Sequence, residues 1–404
     1  MDNDIRPAQT PQSTPNQVGG EIGPPTQSAS PAQPEAQPQP TTQYVATPAA
    51  TPTQPAKPVV GGKKSRKKLW ATMFLVLLLI AAAAFGGWYY GHKNAKPVAT
   101  TTTSTTPKPA TTTKASQLTL DPNKNYGNKY ANGVLPVGDN KYQTTGAKQG
   151  YVYACNGYAQ NMKASTGGAG ARGPWFNTDG TTYDLNKKPH VNGSVTWQPS
   201  FSNTVNGTTR TIVTNDLPNH PTGTFPIASS DPAYAFDKNP NTIKAQTFTY
   251  ALAASPAYSG TPNCMGGQVG VMLTGVAIFS GFDAAGRDAG AWEVQDSCSG
   301  HPEKTGEYHY HTLSSCIKDT SVKTVIGYAL DGFPITGPQV GTGNILTTSD
   351  LDECHGITSA YVVNGKTVTG YHYVMTQDFP YSVSCYRSQP INPPGQPQAD
   401  TQHP

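Results

Sequence analysis

Tyr308-His309-Tyr310-His311 is the stretch of this chain best suited to chemistry. Successive side chains of a strand point to opposite faces, so an extended backbone puts His309 and His311 on one face and the two tyrosines on the other. Two imidazoles at this spacing offer two nitrogen lone pairs to one ion, as metal ligands often do. A broken copy, Tyr371-His372-Tyr373-Val374, supplies a third imidazole but no fourth. His301, His309, His311, His372 and His220 are five of the nine histidines, and Asp331, Asp296 and Asp352 stand among the same short motifs. The expected ligands are His309 and His311, helped by His301 and His372. His220 and Asp331 come next, as ligands or as groups fixing an imidazole tautomer. Copper or zinc suits such a set. The competing expectation is that histidine and tyrosine lock strands together through buried hydrogen bonds. Asp331, in Asp-Gly-Phe-Pro, is also ordinary turn chemistry.

The elements that must position these groups are written twice. Gly275-Val276-Ala277-Ile278 followed by Gly281-Phe282 echoes Gly327-Tyr328-Ala329-Leu330 followed by Gly332-Phe333. Asp296-Ser297-Cys298-Ser299-Gly300 echoes Asp352-Glu353-Cys354-His355-Gly356. Each copy then gives Tyr-His-Tyr and ends in a cysteine, Cys316 or Cys385. Unequal spacings exclude a solenoid, and the pattern predicts two related β units packed together.

All six cysteines lie between residues 116 and 390, an even number that reads as disulfides in an exported domain. Sequence alone allows 15 connectivities. If each copy closes its own loop, the pairs are Cys298–Cys316 and Cys354–Cys385, which leaves Cys155 for Cys264. The absence of any C-x-x-C pair argues against thiolate ligation of a metal.

The outer segment reads as mainly β: one sandwich or irregular barrel, disulfide-bonded and carried on a membrane-anchored stalk. Asn364-Gly365 between apolar runs predicts a hairpin, because Asn-Gly supplies the positive φ of a type I′ turn. Asn206-Gly207 predicts a second. Val269 to Phe279 is a long apolar run suited to one buried strand, and no stretch carries a sustained helical period with caps.

Composition divides the chain further. Residues 1–62 are rich in Pro, Gln and Thr, too poor in apolar surface to fold, and are expected to form a disordered tail. A basic flank, Lys63, Lys64, Arg66, Lys67 and Lys68, abuts the uncharged run from Leu69 to Tyr90, so residues 63–91 read as a flank plus a single membrane-spanning helix. The Lys/Arg asymmetry puts the N-terminus in the cytoplasm and the later residues outside the cell. A cleaved signal peptide is the alternative. Residues 92–115 form a Thr/Pro-rich stalk, 116–390 the outer domain and 391–404 a disordered tail. The formal charge of +4 is partly juxtamembrane, and no basic stripe interleaved with aromatics points to nucleic acid.

The chain resembles the bacterial YHYH domain family over roughly residues 150–390. The resemblance is carried by Gly300-His301-Pro302, Tyr308 to His311, Asp331-Gly332-Phe333-Pro334-Ile335, Asp350 to Cys354, Tyr371-His372-Tyr373 and Phe379-Pro380-Tyr381, with Leu217-Pro218-Asn219-His220 upstream. Thr336 departs from the family's usual Tyr, and Val374 replaces a last His. The family is largely uncharacterised, so the resemblance implies a domain type rather than an activity.

Three function classes remain. One is an extracytoplasmic protein that captures or handles a metal ion. Another is a metal-dependent envelope enzyme, a hydrolase or an oxidase; with no G-x-S-x-G and no H-E-x-x-H, its chemistry would run through a metal-bound water or through redox at copper. The third is a stalked adhesion or glycan-binding module whose His and Tyr are structural.

Overall fold

The computed structural model describes residues 117–165 and 170–395. The expected N-terminal tail, membrane helix and stalk, and most of the C-terminal tail, lie outside the described residues. No helix among the described residues is long and apolar enough to cross a membrane.

A three-stranded antiparallel sheet is built from β1 (Phe201–Asn206), β2 (Thr209–Thr214) and β3 (Phe248–Ala253). The larger sheet has eight strands: β4 (Gln268–Met272), β5 (Ala277–Phe279), β6 (Gly300–Pro302), β7 (Tyr308–Tyr310), β8 (Val325–Ala329), β9 (Pro334–Thr336), β10 (Gly356–Val363) and β11 (Lys366–Val374). Their order is β6-β7-β5-β4-β8-β9-β11-β10, with β6 and β10 outermost, so the large sheet does not close on itself and of the expected sandwich or irregular barrel no closed barrel is formed. Ile212, Phe248, Tyr250 and Leu252 of the small sheet share one apolar core with Val271, Tyr308, Tyr310 and Tyr328 of the large one.

That strand order reads the same from either edge. Each half holds an antiparallel pair (β4–β5 or β8–β9) and an antiparallel hairpin (β6–β7 or β10–β11) joined by a parallel contact. The halves meet at the β4–β8 ladder, where Gly270 opposes Ala329 and Met272 opposes Gly327. The two β units are thus halves of one pseudo-symmetric sheet. Their true alignment differs from the sequence echo. Gly270 corresponds to Gly327, since they face Ile278 and Ile335 respectively. Gly275 corresponds to Gly332, and both hold positive φ, +101° and +90°, where a Cβ would be strained. The first echoed motif was therefore five residues out of phase and the second six. For the same reason Val269 to Phe279 is not one strand: Thr274-Gly275 turns it into β4 and β5. The later motifs align as expected, with Ser299 and His355 at matching positive-φ positions of D-x-C-x-G.

Both hairpin expectations find turns. Asn364 and Gly365 both hold positive φ between β10 and β11. The other turn is Gly207-Thr208 rather than Asn206-Gly207, because Asn206 still pairs with Thr209. A nine-residue helix, α1 (Asn156–Ala164), was not anticipated: its N-cap Cys155 makes no side-chain cap, and only Ala159 and Met162 are buried. The disulfides are Cys155–Cys264, Cys298–Cys316 and Cys354–Cys385, leaving no free cysteine. The chain enters the fold beside edge strand β10, where Leu120 donates to Thr358 and Thr358 donates to Leu118.

Candidate metal centre

Strand pairing builds the site. His301 on β6 lies directly opposite His309 on β7, and His311 follows two residues on, so three imidazoles crowd one face of the sheet at its edge. Their ring centroids are 4.6 Å (301–309), 4.9 Å (309–311) and 5.5 Å (301–311) apart. Tyr308 and Tyr310 point to the other face. There Tyr308 donates to both oxygens of Asp296, and Tyr310 donates to Thr274.

Glu293 completes the cluster. It ends a short helix, α2 (Ala289–Trp292), that is capped by Asp288. Its Oε2 lies 3.2 Å from Nε2 of both His301 and His311. All four side chains are buried, with His301, His309 and His311 at most 4 % exposed and Glu293 at 6 %. Phe279 of β5 stacks on the His309 ring at 4.1 Å.

Hydrogen bonds define two of the tautomers. Nδ1–H of His309 donates to the Glu307 carbonyl at 3.1 Å, and Nδ1–H of His311 donates to the Ser280 carbonyl at 2.6 Å. A carbonyl only accepts, so in the neutral rings both Nε2 atoms are lone-pair acceptors. Those two acceptors face each other at 3.1 Å. Among the described residues, neither ring nitrogen of His301 makes a hydrogen bond and neither does Glu293 Oε2, whose 3.2 Å approach to His301 Nε2 is an ion-pair contact. Donor atoms at 3.1–3.2 Å, each ~2.05 Å from a shared ion, subtend about 100° at it, close to tetrahedral. The ligand nitrogens of His301, His309 and His311 all lie within 4.8 Å of one another, so the three imidazoles could hold a metal ion, and Glu293 lies against two of them.

The cluster's charges are coupled. Burial alone would raise the Glu293 carboxyl, but His301 and His311 beside it pull it well below the usual range. Burial would lower His301, yet Glu293 outweighs it and raises that imidazole. Burial and the neighbouring His301 and His311 push His309 well below its ordinary value.

Three expected residues stand apart. His372 sits on β11, five strands along the sheet from β7, roughly 24 Å at ~4.8 Å per strand. Its Nδ1 meets the Thr336 hydroxyl at 2.9 Å and its Nε2 meets Ser359 at 2.7 Å, so both nitrogens are occupied. Asp331 accepts from Tyr373 at 2.7 Å and from the Phe333, Arg387 and Ser388 amides, which leaves it a structural bracket. His220 lies on the tyrosine face, bonded to Tyr310 at 2.5 Å and to the Pro221 carbonyl. It also approaches Cys298 and Cys316, but their sulfurs are joined to each other.

The second half serves as an internal comparison. His309 corresponds to His372, while His301, His311 and Phe279 correspond to Ile357, Val374 and Thr336. There the His372 imidazole is satisfied by hydroxyls. The crowded one in the first half is surrounded by other donors.

The fold and cluster define a disulfide-bonded, mainly β domain with a buried histidine–carboxylate centre at a sheet edge. Residues 249–344 match the family model described as YHYH protein, a span that contains all four clustered donors and excludes His372. The chain is thus a YHYH domain-containing protein. No curated protein and no solved structure matches it.

Proposed function

We propose that this protein binds one divalent transition-metal ion, copper or zinc, through His301, His309, His311 and Glu293. The observation that carries this reading is the pair of Nε2 acceptors held 3.1 Å apart, with His301 and Glu293 Oε2 in ion-pair contact beside them but without a hydrogen bond among the described residues. Buried polar atoms are normally hydrogen-bonded, and facing lone pairs repel, so the arrangement calls for an electrophile between them. The donors are buried, which keeps water away and favours capture and retention of the ion over catalysis at an open coordination position.

The test is elemental analysis of protein purified without a polyhistidine tag. Wild type should carry about one ion per chain, as a single four-donor site requires. His309→Ala/His311→Ala should carry none, and His372→Gln should match wild type. A metal-free wild type, or a double variant that binds as well, overturns the reading.

We propose further that the domain is displayed outside the cell by an uncleaved anchor at residues 69–90, with the N-terminus cytoplasmic. The supports are the Lys/Arg asymmetry around that segment and the three disulfides. Protease added to intact cells should remove the outer domain and spare the N-terminal tail; a protected outer domain would refute the topology.

A further inference from the structure

We infer that a cavity of about 600 Å³ beside the α2 strap binds a small hydroxylated molecule bearing an oxyanion, either a carboxylate or a phosphate. This goes beyond the metal reading and does not rest on it, since none of the residues invoked is a metal donor.

The main observation is Lys188, which lines the cavity although it is only 6 % exposed. Its Nζ donates to the Gly290 carbonyl at 2.6 Å. Among the described residues no carboxylate oxygen lies within 4.0 Å of it. An ammonium has three donors, so this one has two to spare and no counter-charge in contact. A buried charge without a partner is strongly disfavoured, and a bound anion would supply the partner.

Gln295 lines the same cavity and is independent of Lys188. It too is 6 % exposed, and its Nε2 has no hydrogen-bond partner. An amide N–H₂ is donor-only, so both unpartnered groups ask for an acceptor. His190, a third nitrogen-bearing side chain on the wall, adds no negative charge.

The rest of the wall selects the ligand's body. Ser299, Thr312 and Gln377 present polar groups, whereas Leu135 and Leu313 present apolar surface. Polar groups beside apolar surface suit a polyhydroxylated ring, and the volume falls within the range of ~300–1,000 Å³ typical of small-molecule sites. Sugar acids and sugar phosphates share this chemistry.

Full-length protein in detergent is titrated by calorimetry with glucuronate, glucose 6-phosphate and glucose. Saturable binding of one or both charged sugars, with no binding of glucose, is the expected result, and the charged sugar that binds identifies the source of the oxyanion. Lys188→Met keeps the aliphatic stem and removes the charge; it should weaken binding at least ~tenfold, as loss of a charge-assisted hydrogen bond does. Gln295→Leu should weaken it about threefold or more, as for a neutral bond. Near-UV circular dichroism establishes that each variant is folded, and if Lys188→Met is not, Gln295→Leu decides alone. The inference is overturned if neither charged sugar binds below about 10 mM, well above the usual range for specific sites, if glucose binds equally, or if the folded variants bind like wild type.

Discussion

Replacing His372 with Gln should remove a measurable part of the domain's sensitivity to acid. The imidazole is fully buried between Thr336 and Ser359, and burial pushes its pKa down to about 4. In the unfolded chain it titrates near ~6.5. Between those values the unfolded state takes up a proton that the folded state refuses. The stabilisation is therefore complete above about pH 6.5 and is lost as pH falls toward 4. With these two pKa values the loss is about 2 kcal/mol at about pH 5 and about 3 kcal/mol near pH 4. Urea unfolding of both proteins, disulfides intact, is measured at about pH 7 and about pH 5, where the wild-type loss should exceed the variant's by about 2 kcal/mol. Comparing the two losses cancels the cost of the substitution itself. It also cancels groups common to both proteins, among them His355, which burial pushes down to about 3. Equal losses would mean that His372 takes up its proton inside the fold, and the assignment of its two hydroxyl partners would fail.

Three further outcomes are expected. Glu293→Gln should lower metal affinity ~10–100-fold while leaving the fold intact, checked by competition with a chromophoric chelator. Phe279→Ala should release metal to a chelator faster than wild type, because the ring that stacks on His309 is gone; an unchanged rate would show that Phe279 does not cover the ion. Cys298→Ser/Cys316→Ser opens a loop with a sequence separation of 18 and should cost about 3 kcal/mol on chain entropy, read by urea unfolding, with metal retention falling in parallel because His301, His309 and His311 all lie inside that loop.

The parts of this molecule legible in its sequence are those written locally. Asn364-Gly365 announced its hairpin because positive φ at two successive residues demands such side chains. The cysteine pairs followed from a repeat whose later motifs keep their order. His301, His309 and His311 could be grouped because strand alternation and proximity in sequence place them together. His372 was expected with them because the repeat implied convergence, whereas side-by-side pairing about the β4–β8 ladder carries matching residues to opposite ends of the sheet. Glu293 was missed because α2 and the following turn, not a strand period, bring it to the histidines. Comparing the copies offered a signal: both histidines beside His309 change chemistry in the second half, to Ile357 and Val374. The phase errors of five and six residues arose because Gly275 and Gly281, rather than Gly270 and Gly275, were matched to Gly327 and Gly332.

The point where the chain enters the fold has a consequence for access. Leu118 and Leu120 lie against β10, at one margin of the eight-stranded sheet, and the histidine cluster lies at the other. Seven strand spacings separate the margins, roughly 34 Å at ~4.8 Å each. Leu118 and Leu120 therefore mark the rim of the sheet far from the cluster. The described N-terminal segment at β10 thus makes no contact with the histidine cluster.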